Sequence, residues 1–388
     1  MTPKLSTQTH VGNHKAAPSI KKRMSKLLCA GVALFVISAG VVQAADDSDG
    51  GFLPNARIVS TFPPNGDLNP YGVAFVPLLF QSGSGPLQPG DILVSNFNNS
   101  SNLQGIGTTI VRIPVSGPVS LFFTAPTPAP GAPGFGLSTA LAVLRKGFVI
   151  VGNVPSKDGT AATVSRGSLL VIDDTGQLVN TITDSTINGP WDMTMMDRGD
   201  QATAFVSNVL SGTVVRLELN VATNGVAVAN KTVIASGYRH RGDPAAFEVG
   251  ATGLVYDAGH DVLYVASTAD NAVFAVQDAG TRTNSGGRGT IIYTDAIHLH
   301  GPLAMAEAPN GHLLVSNSDV INPDPNQPSE IVEFTKQGQF IKQLSVDPAQ
   351  GGSFGLAVKA NQDDAFFAAV DDNTATLTVS TIELPLHQ

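Results

Sequence analysis

Beyond residue 45 the apolar residues come in short runs broken by glycine, asparagine and proline. No 3.6-residue apolar period is sustained over 11 or more positions. Short apolar runs bounded by turn residues predict strands rather than helices. One arrangement recurs. A glycine-containing segment opens a short apolar strand, a variable turn follows, and a second strand ends in a small polar group. The openings are Pro70–Phe75, Phe135–Ser138, Gly189–Met193, Thr252–Tyr256, Gly301–Met305 and Phe354–Val358. The second strands end at Asn96, Asn153, Asn208, Thr268, Asn317 and Asp371, which lie 57, 55, 60, 49 and 54 residues apart.

Each copy continues into a third strand, predicted at Thr109–Ile113, Gly167–Ile172, Gly212–Leu219, Ala272–Val276, Glu330–Phe334 and Thr376–Ile382. Fourth strands are predicted at Leu121–Phe123, Leu178–Ile182, Thr232–Ile234, Thr290–Tyr293 and Phe340–Leu344. The sixth copy has no fourth strand of its own, and an orphan strand, Ala56–Thr61, precedes the first copy. Joining the two closes a ring and removes the exposed sheet edges. The predicted fold is therefore all-β: a six-bladed β-propeller of four-stranded antiparallel blades, one domain over residues 56–388.

The N-terminus is a different kind of sequence. Lys21–Lys26 is basic, Leu27–Val42 is apolar, and Val42-Gln43-Ala44-Ala45 supplies small residues before Asp46 and Asp47. That order is the signature of a secretory signal peptide over residues 1–44, and Met24 offers a more compact start. The apolar run of 16 residues is short for a bilayer span. The expectation is export to the periplasm or the extracellular space, with no membrane span after processing and a flexible segment at 45–55. The first 44 residues hold six of the 22 basic residues, the only cysteine and none of the 31 acidic ones. The processed chain is thus more acidic than the formal net charge of −9, and it lacks thiols. Cysteine catalysis and thiolate metal sites are excluded, and the missing basic patch argues against nucleic acid as a partner. The 40 glycines and 25 prolines read as turn punctuation between strands.

The Gly-Leu-Ala-Val segment (355–358) and the Leu-Tyr-Val-Ala-Ser-Thr-Ala-Asp-Asn-Ala-Val segment (263–273) resemble NHL repeats. More distantly, the chain resembles the regucalcin/gluconolactonase (SMP-30-like) group of six-bladed propellers. The first resemblance implies binding of proteins, peptides or nucleic acid; the second implies a metal-dependent hydrolase. That hydrolase family holds its metal with a Glu and several Asn or Asp where the blades begin. The aligned positions here are Tyr71, Phe135, Asn188, Thr252, His300 and Phe354, with no Glu in the first.

Candidate chemistry concentrates where first strands start and second strands end, around the mouth of the central channel. Long turns at Phe97–Thr108, Val154–Arg166 and Asp319–Ser329 place blades one, two and five prominently on that face. His298 and His300 sit two apart, so an extended strand projects both to one side, where they can chelate one metal. With Asn188 and Asn69 they form a candidate site for a divalent ion (Ca, Zn or Mg), and His300 is the first choice for a catalytic role. Trp191 reads either as a ligand platform or as packing between blades, with Asp192 beside it. Tyr238–Asp243 concentrates charge, and Arg239, His240 and Arg241 either cap the mouth toward an anion or form a solvated crossover. Asp371-Asp372-Asn373-Thr374 reads as a turn whose adjacent carboxylates could take a Ca²⁺. The repeated terminal Asn residues read first as turn formers. The Arg-Gly-Asp triplets at 198–200 and 241–243 lie in turn-rich sequence.

No Gly-x-Ser-x-Gly elbow, phosphate loop or His-Glu-x-x-His motif is present. The leading expectation is a monomeric, non-catalytic propeller that binds a protein or small molecule at its mouth. The alternatives are a metal-dependent hydrolase, lactonase or lyase with a His/Asn site in the channel, and a structural envelope protein.

Overall fold

The structure, a computed structural model, describes residues 57–130 and 132–384. The leader and the 45–55 segment lie outside the described residues. Six four-stranded antiparallel sheets follow one another in chain order. Blade one is β2 (Leu68–Phe75), β3 (Ile92–Asn98), β4 (Thr109–Ile113) and β5 (Ser120–Thr124). Blade two is β6 (Leu137–Val143), β7 (Val149–Asn153), β8 (Ser168–Ile172) and β9 (Leu178–Ile182). Blade three is β10 (Pro190–Asp197), β11 (Gln201–Asn208), β12 (Thr213–Ala222) and β13 (Gly225–Ser236). Blade four is β16 (Ala251–Asp257), β17 (Val262–Ser267), β18 (Ala272–Gln277) and β19 (Thr290–Tyr293). Blade five is β20 (Pro302–Glu307), β21 (Leu313–Asn317), β22 (Glu330–Phe334) and β23 (Phe340–Ser345). Blade six is β24 (Ser353–Ala360), β25 (Asp364–Asp371) and β26 (Thr376–Glu383), completed by the N-terminal β1 (Arg57–Ser60).

Ring closure is as the orphan strand predicts. β1 pairs antiparallel with β26 from Arg57↔Val379 to Ser60↔Thr376. Thr61 secures the junction, its hydroxyl donating to the Ala375 carbonyl at 2.8 Å. Two features depart from the sequence reading. Blade three carries an outer hairpin longer than expected, and an additional two-stranded hairpin stands between blades three and four. That hairpin is β14 (Arg241–Asp243) and β15 (Phe247–Val249). The helical content of the described residues is one 3₁₀ turn, Ala161–Thr163.

The core is a set of layers between blades. In β3, Leu93 faces blade two, packing with Leu141, Val151 and Leu170. Its neighbours Ile92 and Val94 face blade six, packing with Ala368, Val370 and Leu377. Both faces of an inner strand are therefore buried, which explains uninterrupted apolar runs where a half-exposed strand would alternate.

Near the axis every blade shows the same irregularity. The pairing of first and second strands skips between Pro70 and Gly72, Leu137 and Leu141, and Pro190 and Met193. It skips again between Ala251 and Leu254, Pro302 and Met305, and Ser353 and Leu356. Such bulges re-aim a side chain. The residues at the skipped positions are Tyr71, Ser138 to Ala140, Trp191 and Asp192, Thr252 and Gly253, Leu303 and Ala304, and Phe354 and Gly355.

At the end of second strands, Ser satisfies backbone freed by the bulge in blades one, three and five, and Asn satisfies backbone just before the first strand in blades two, three and five. Ser95, Ser207 and Ser316 accept through Oγ from the N–H groups of Gly72, Asp192 and Ala304, each at 3.0 Å. Asn153, Asn208 and Asn317 accept through Oδ1 from the N–H groups of Gly136, Asn188 and His300 at 2.8, 2.8 and 3.0 Å. The side chains also reach between blades: the Ser138 hydroxyl donates to Pro190 O at 2.7 Å and the Thr268 hydroxyl to Pro302 O at 2.6 Å. Glycine in the repeat has a definite cause. A Cβ on Gly355 would lie 1.9 Å from Tyr71 O, and one on Gly253 would lie 2.4 Å from Leu303 O.

These clamps make two substitutions informative. Asn208→Ala leaves the Asn188 N–H without its acceptor and costs about 1–3 kcal/mol. Gly355→Ala forces blades six and one apart and costs about 1–3 kcal/mol. Both read out as lower urea midpoints; an unchanged midpoint for either would contradict the role given to it.

Candidate functional site

The bulges direct side chains into the channel, and the largest of them close it. Tyr71 stacks on Phe97 with ring centroids 5.3 Å apart and meets Trp191 edge-on at 5.7 Å. Phe97 meets Trp191 at 5.4 Å and Phe247 at 5.4 Å, and Phe354 meets Tyr71 at 5.0 Å. Leu303, Val154 and Val209 fill in around the five rings. Aromatic pairs of this kind contribute about 0.5–1.5 kcal/mol each beyond the area they bury. The ring thus has an apolar plug on its axis.

Phe247 comes from the inserted hairpin and is held in the left-handed region, at φ 65°. For a bulky residue that conformation is rare and strained. Contact of its ring with Phe97 and Trp191 holds it there. The hairpin is tied down at its turn as well: Gln104 Nε2 donates to Ala245 O at 2.9 Å, and Asp243 Oδ1 accepts from Ala245 N at 2.9 Å. Asp243 also pairs with Arg241 at 3.1 Å, so this Arg-Gly-Asp triplet closes on itself.

Above the plug, on the mouth side, lies a cavity of about 340 Å³. Tyr71, Phe97, Leu303 and Phe354 line its apolar side; Asn69, Asn98, Asn102 and Gln104 contribute from blade one. The hairpin gives Ala245, Ala246, Glu248 and Val249, while blades five and six give Asp319, Gln350, Asp372 and Asn373. Its polar groups are short of donors. Asn69 Oδ1 and Asp319 Oδ1 are buried without a hydrogen-bond partner. Asp319 Oδ2, by contrast, accepts from Ser329 N at 2.8 Å and Gly351 N at 3.1 Å. Burial, reinforced by Asp243, pushes the Glu248 carboxyl up to about 7. Burial, reinforced by Asp371, does the same for Asp372, also to about 7. Among the described residues, no lysine, arginine or histidine lines this cavity.

A second cavity of about 290 Å³ lies along the inner strands toward their far ends, between Thr139, Asp192, Met193, Leu254, Met305 and Leu356. Asp192 accepts from Met193 N at 2.7 Å and Leu254 N at 3.0 Å, and burial raises its carboxyl to about 7.

The structure disperses most of the residues singled out from sequence. His300 is buried, but Nε2 faces Ile297 O at 3.0 Å and Nδ1 faces Asn322 O. Both ring nitrogens are thus occupied by backbone carbonyls. His298 stacks on Phe340 at 3.8 Å and pairs with Asp295 at 2.6 Å. Asn188 is half-buried and engaged through its backbone with Asn208 and Leu210. Of the expected metal set only Asn69 lines the mouth cavity. His300 is turned onto backbone carbonyls and His298 onto Asp295 and Phe340, so the structure does not bring His298, His300, Asn188 and Asn69 together as one metal site, and it shows no substrate-facing position for His300. No group of three or more His, Cys, Asp or Glu among the described residues could hold a metal ion. No cluster of these four residue types among the described residues thus marks a place for the metal that a hydrolase resemblance implies.

Trp191 is the centre of the plug, and Asp192 belongs to the second cavity. Arg239 and His240 are exposed beside a shallow outer pocket with Tyr238, Arg241 and Ile321. They do not cap the mouth; the hairpin residues just after them do. Gln104, Glu248 and Asp319 were not singled out from sequence as site residues. The buried triplet Phe247-Glu248-Val249, an acid flanked by apolar residues in a segment between blades, was the available signal.

No family model matches the chain, and no curated protein does. Solved structures do. A Thermus thermophilus protein described as an oxidoreductase (glucose dehydrogenase) superposes with TM-score 0.50 at 11% identity, over 84% of this chain and 100% of its own. A gluconolactonase from Xanthomonas campestris gives TM-score 0.50 at 12% identity, over 84% and 90%. Virginiamycin B lyase from Staphylococcus aureus gives 0.45 at 12%, over 86% and 89%. The distant likeness to the gluconolactonase group is found in the structure, as a likeness of fold.

The plug makes the single tryptophan a reporter of the mouth. Trp191 is 1% exposed, so its emission should be blue-shifted and resistant to acrylamide. Phe247→Ala should shift the emission to the red and raise quenching, at a cost of about 3–5 kcal/mol. Wild-type spectra in the variant would mean the hairpin does not anchor in the plug.

Proposed function

We propose that this protein is an exported, ligand-binding propeller whose mouth cavity accepts a small molecule, without covalent chemistry. The observation that carries this reading is the cavity itself. It is closed below by five rings, bordered by an inserted hairpin, and lined by acceptors that have no protein donor. Buried polar groups left unpaired cost about 1–3 kcal/mol each, so a ligand that supplies donors is favoured there. Strained backbone gathers at the same place: Asn69 and Asp319, at φ 58° and 57°, line the cavity, and Phe247, at φ 65°, directly precedes the lining residue Glu248.

Export follows from the basic, apolar and small-residue order of residues 21–45. Intact mass of the secreted or periplasmic protein should give a chain starting at Ala45; recovery of the full-length chain from the cytoplasm would refute export.

Binding is tested by thermal melts against a panel of small hydroxylated and amino compounds. A ligand at 100 times its dissociation constant stabilises by about 2.7 kcal/mol. The stabilisation should vanish in Ala246→Trp, which fills the cavity from the hairpin. A compound that stabilises wild type and Ala246→Trp equally binds elsewhere, and the mouth reading falls.

A further inference from the structure

Resting on the mouth-cavity reading, we infer that the ligand class is an organic cation: a primary or secondary amine with an apolar body. Its ammonium group would sit among Glu248, Asp319 and Asp372, and its carbon skeleton against the aromatic floor.

Three carboxylates on one small cavity, with no basic side chain to offset them, are an electrostatic deficit. Anionic ligands are disfavoured outright. Glu248 is 7% exposed and Asp319 is 8% exposed, so bulk water offsets little of the charge. A buried charge lacking a counter-charge costs several kcal/mol, and a neutral polyol supplies hydrogen bonds without removing that cost. A bare metal ion would meet the charge, but the carboxylates are spread around the cavity and no three could hold one ion. A cation of extended shape meets both conditions. Its N–H groups also supply what Asn69 Oδ1 and Asp319 Oδ1 lack: both atoms are buried, belong to residues lining the cavity and have no donor. Tyr71, Phe97 and Phe354 give the apolar part of such a ligand a dry surface, and rings of this type also attract cations.

The site should be proton-linked. Glu248 faces Asp243, which is paired with Arg241; Asp372 faces Asp371, which feels Asp347, and both Asp372 and Asp192 act on the Tyr71 hydroxyl. The carboxyls of Glu248 and Asp372 are held up to about 7. Below that pH they are largely protonated and neutral in the free protein; above it they are ionised. A cation favours the ionised forms, so affinity rises with pH and binding below the transition releases protons.

The experiment is calorimetric titration of the processed protein with benzylammonium and its neutral counterpart benzyl alcohol, with glucose as a neutral polyol. Benzylammonium should bind at least about tenfold more tightly than benzyl alcohol, and about tenfold more tightly at pH 8 than at pH 6. Glu248→Gln and Asp372→Asn should each weaken benzylammonium by about tenfold, and by more than they weaken benzyl alcohol. Should either variant misfold, the pH comparison on wild-type protein decides alone. Equal binding of the amine and the alcohol, pH-independent binding, or no binding of the amine overturns the inference. If glucose binds wild type and not Ala246→Trp while the amine does not bind, the cavity reading stands and the cation assignment falls. If the amine binds Ala246→Trp as well as wild type, the cavity reading itself is at fault.

Discussion

A ring of six sheets crowds its backbone most tightly at the axis, where first strands from neighbouring blades converge. The rest of this molecule depends on how that crowding is resolved. Each blade breaks its pairing once, at the same place, and in blades one, three and five the freed N–H group is collected by a Ser of the adjoining strand. Without these acceptors the bulges would leave buried donors unpaired beside the channel, and pairing could relax to a regular register only by withdrawing the channel-facing side chains. The same three or four residues of each repeat thus hold the ring together and decide what points into its centre.

What points in is mostly aromatic, and this separates the molecule from an open-channelled ring. Once Tyr71, Phe97, Trp191, Phe247 and Phe354 meet, the mouth side becomes a closed vessel with an apolar base. Its polar character then comes from elements that differ between repeats: the long loops of blades one and five, the approach to blade six, and a hairpin belonging to no blade. A scaffold held by repeated clamps can vary those elements at little cost to itself. The likeness to a gluconolactonase is one of fold, and function on shared folds is decided by the residues of the site.

The architecture was legible in sequence because its punctuation has physical causes. Gly253 and Gly355 recur because a Cβ there would collide with the next blade, and the Ser-Asn endings recur because the bulge and the backbone just before the first strand need acceptors. The site was much less legible. His298 and His300 looked paired because alternate residues of a strand share a side, yet Leu299-His300-Gly301 runs before β20 begins, in a loop whose own carbonyls and carboxylate engage the two rings. Placing Asn188 and His300 in register with Tyr71 was off by the length of that loop; the residues at the bulges are Trp191 and Leu303. Glu248 escaped notice because it lies outside the repeat, while Asp372 reads with Asp371 only as a turn able to take a Ca²⁺, because a double acid before Asn-Thr has the composition of any turn. Neither local pattern nor periodicity reports that two loops distant in sequence share a cavity.

Ring closure by β1 has a consequence for the order of events during synthesis. Thr61 reaches its partner Ala375 across 314 residues of chain, so the final sheet cannot form until nearly the last strand has emerged. Long-range contacts of this kind slow folding. Five blades can assemble in succession from local hairpins while the first strand waits, unpaired, beside an unfinished edge. Under the export proposed above, that delay would suit a chain crossing a membrane as an extended thread, because the seam of the ring would lock last.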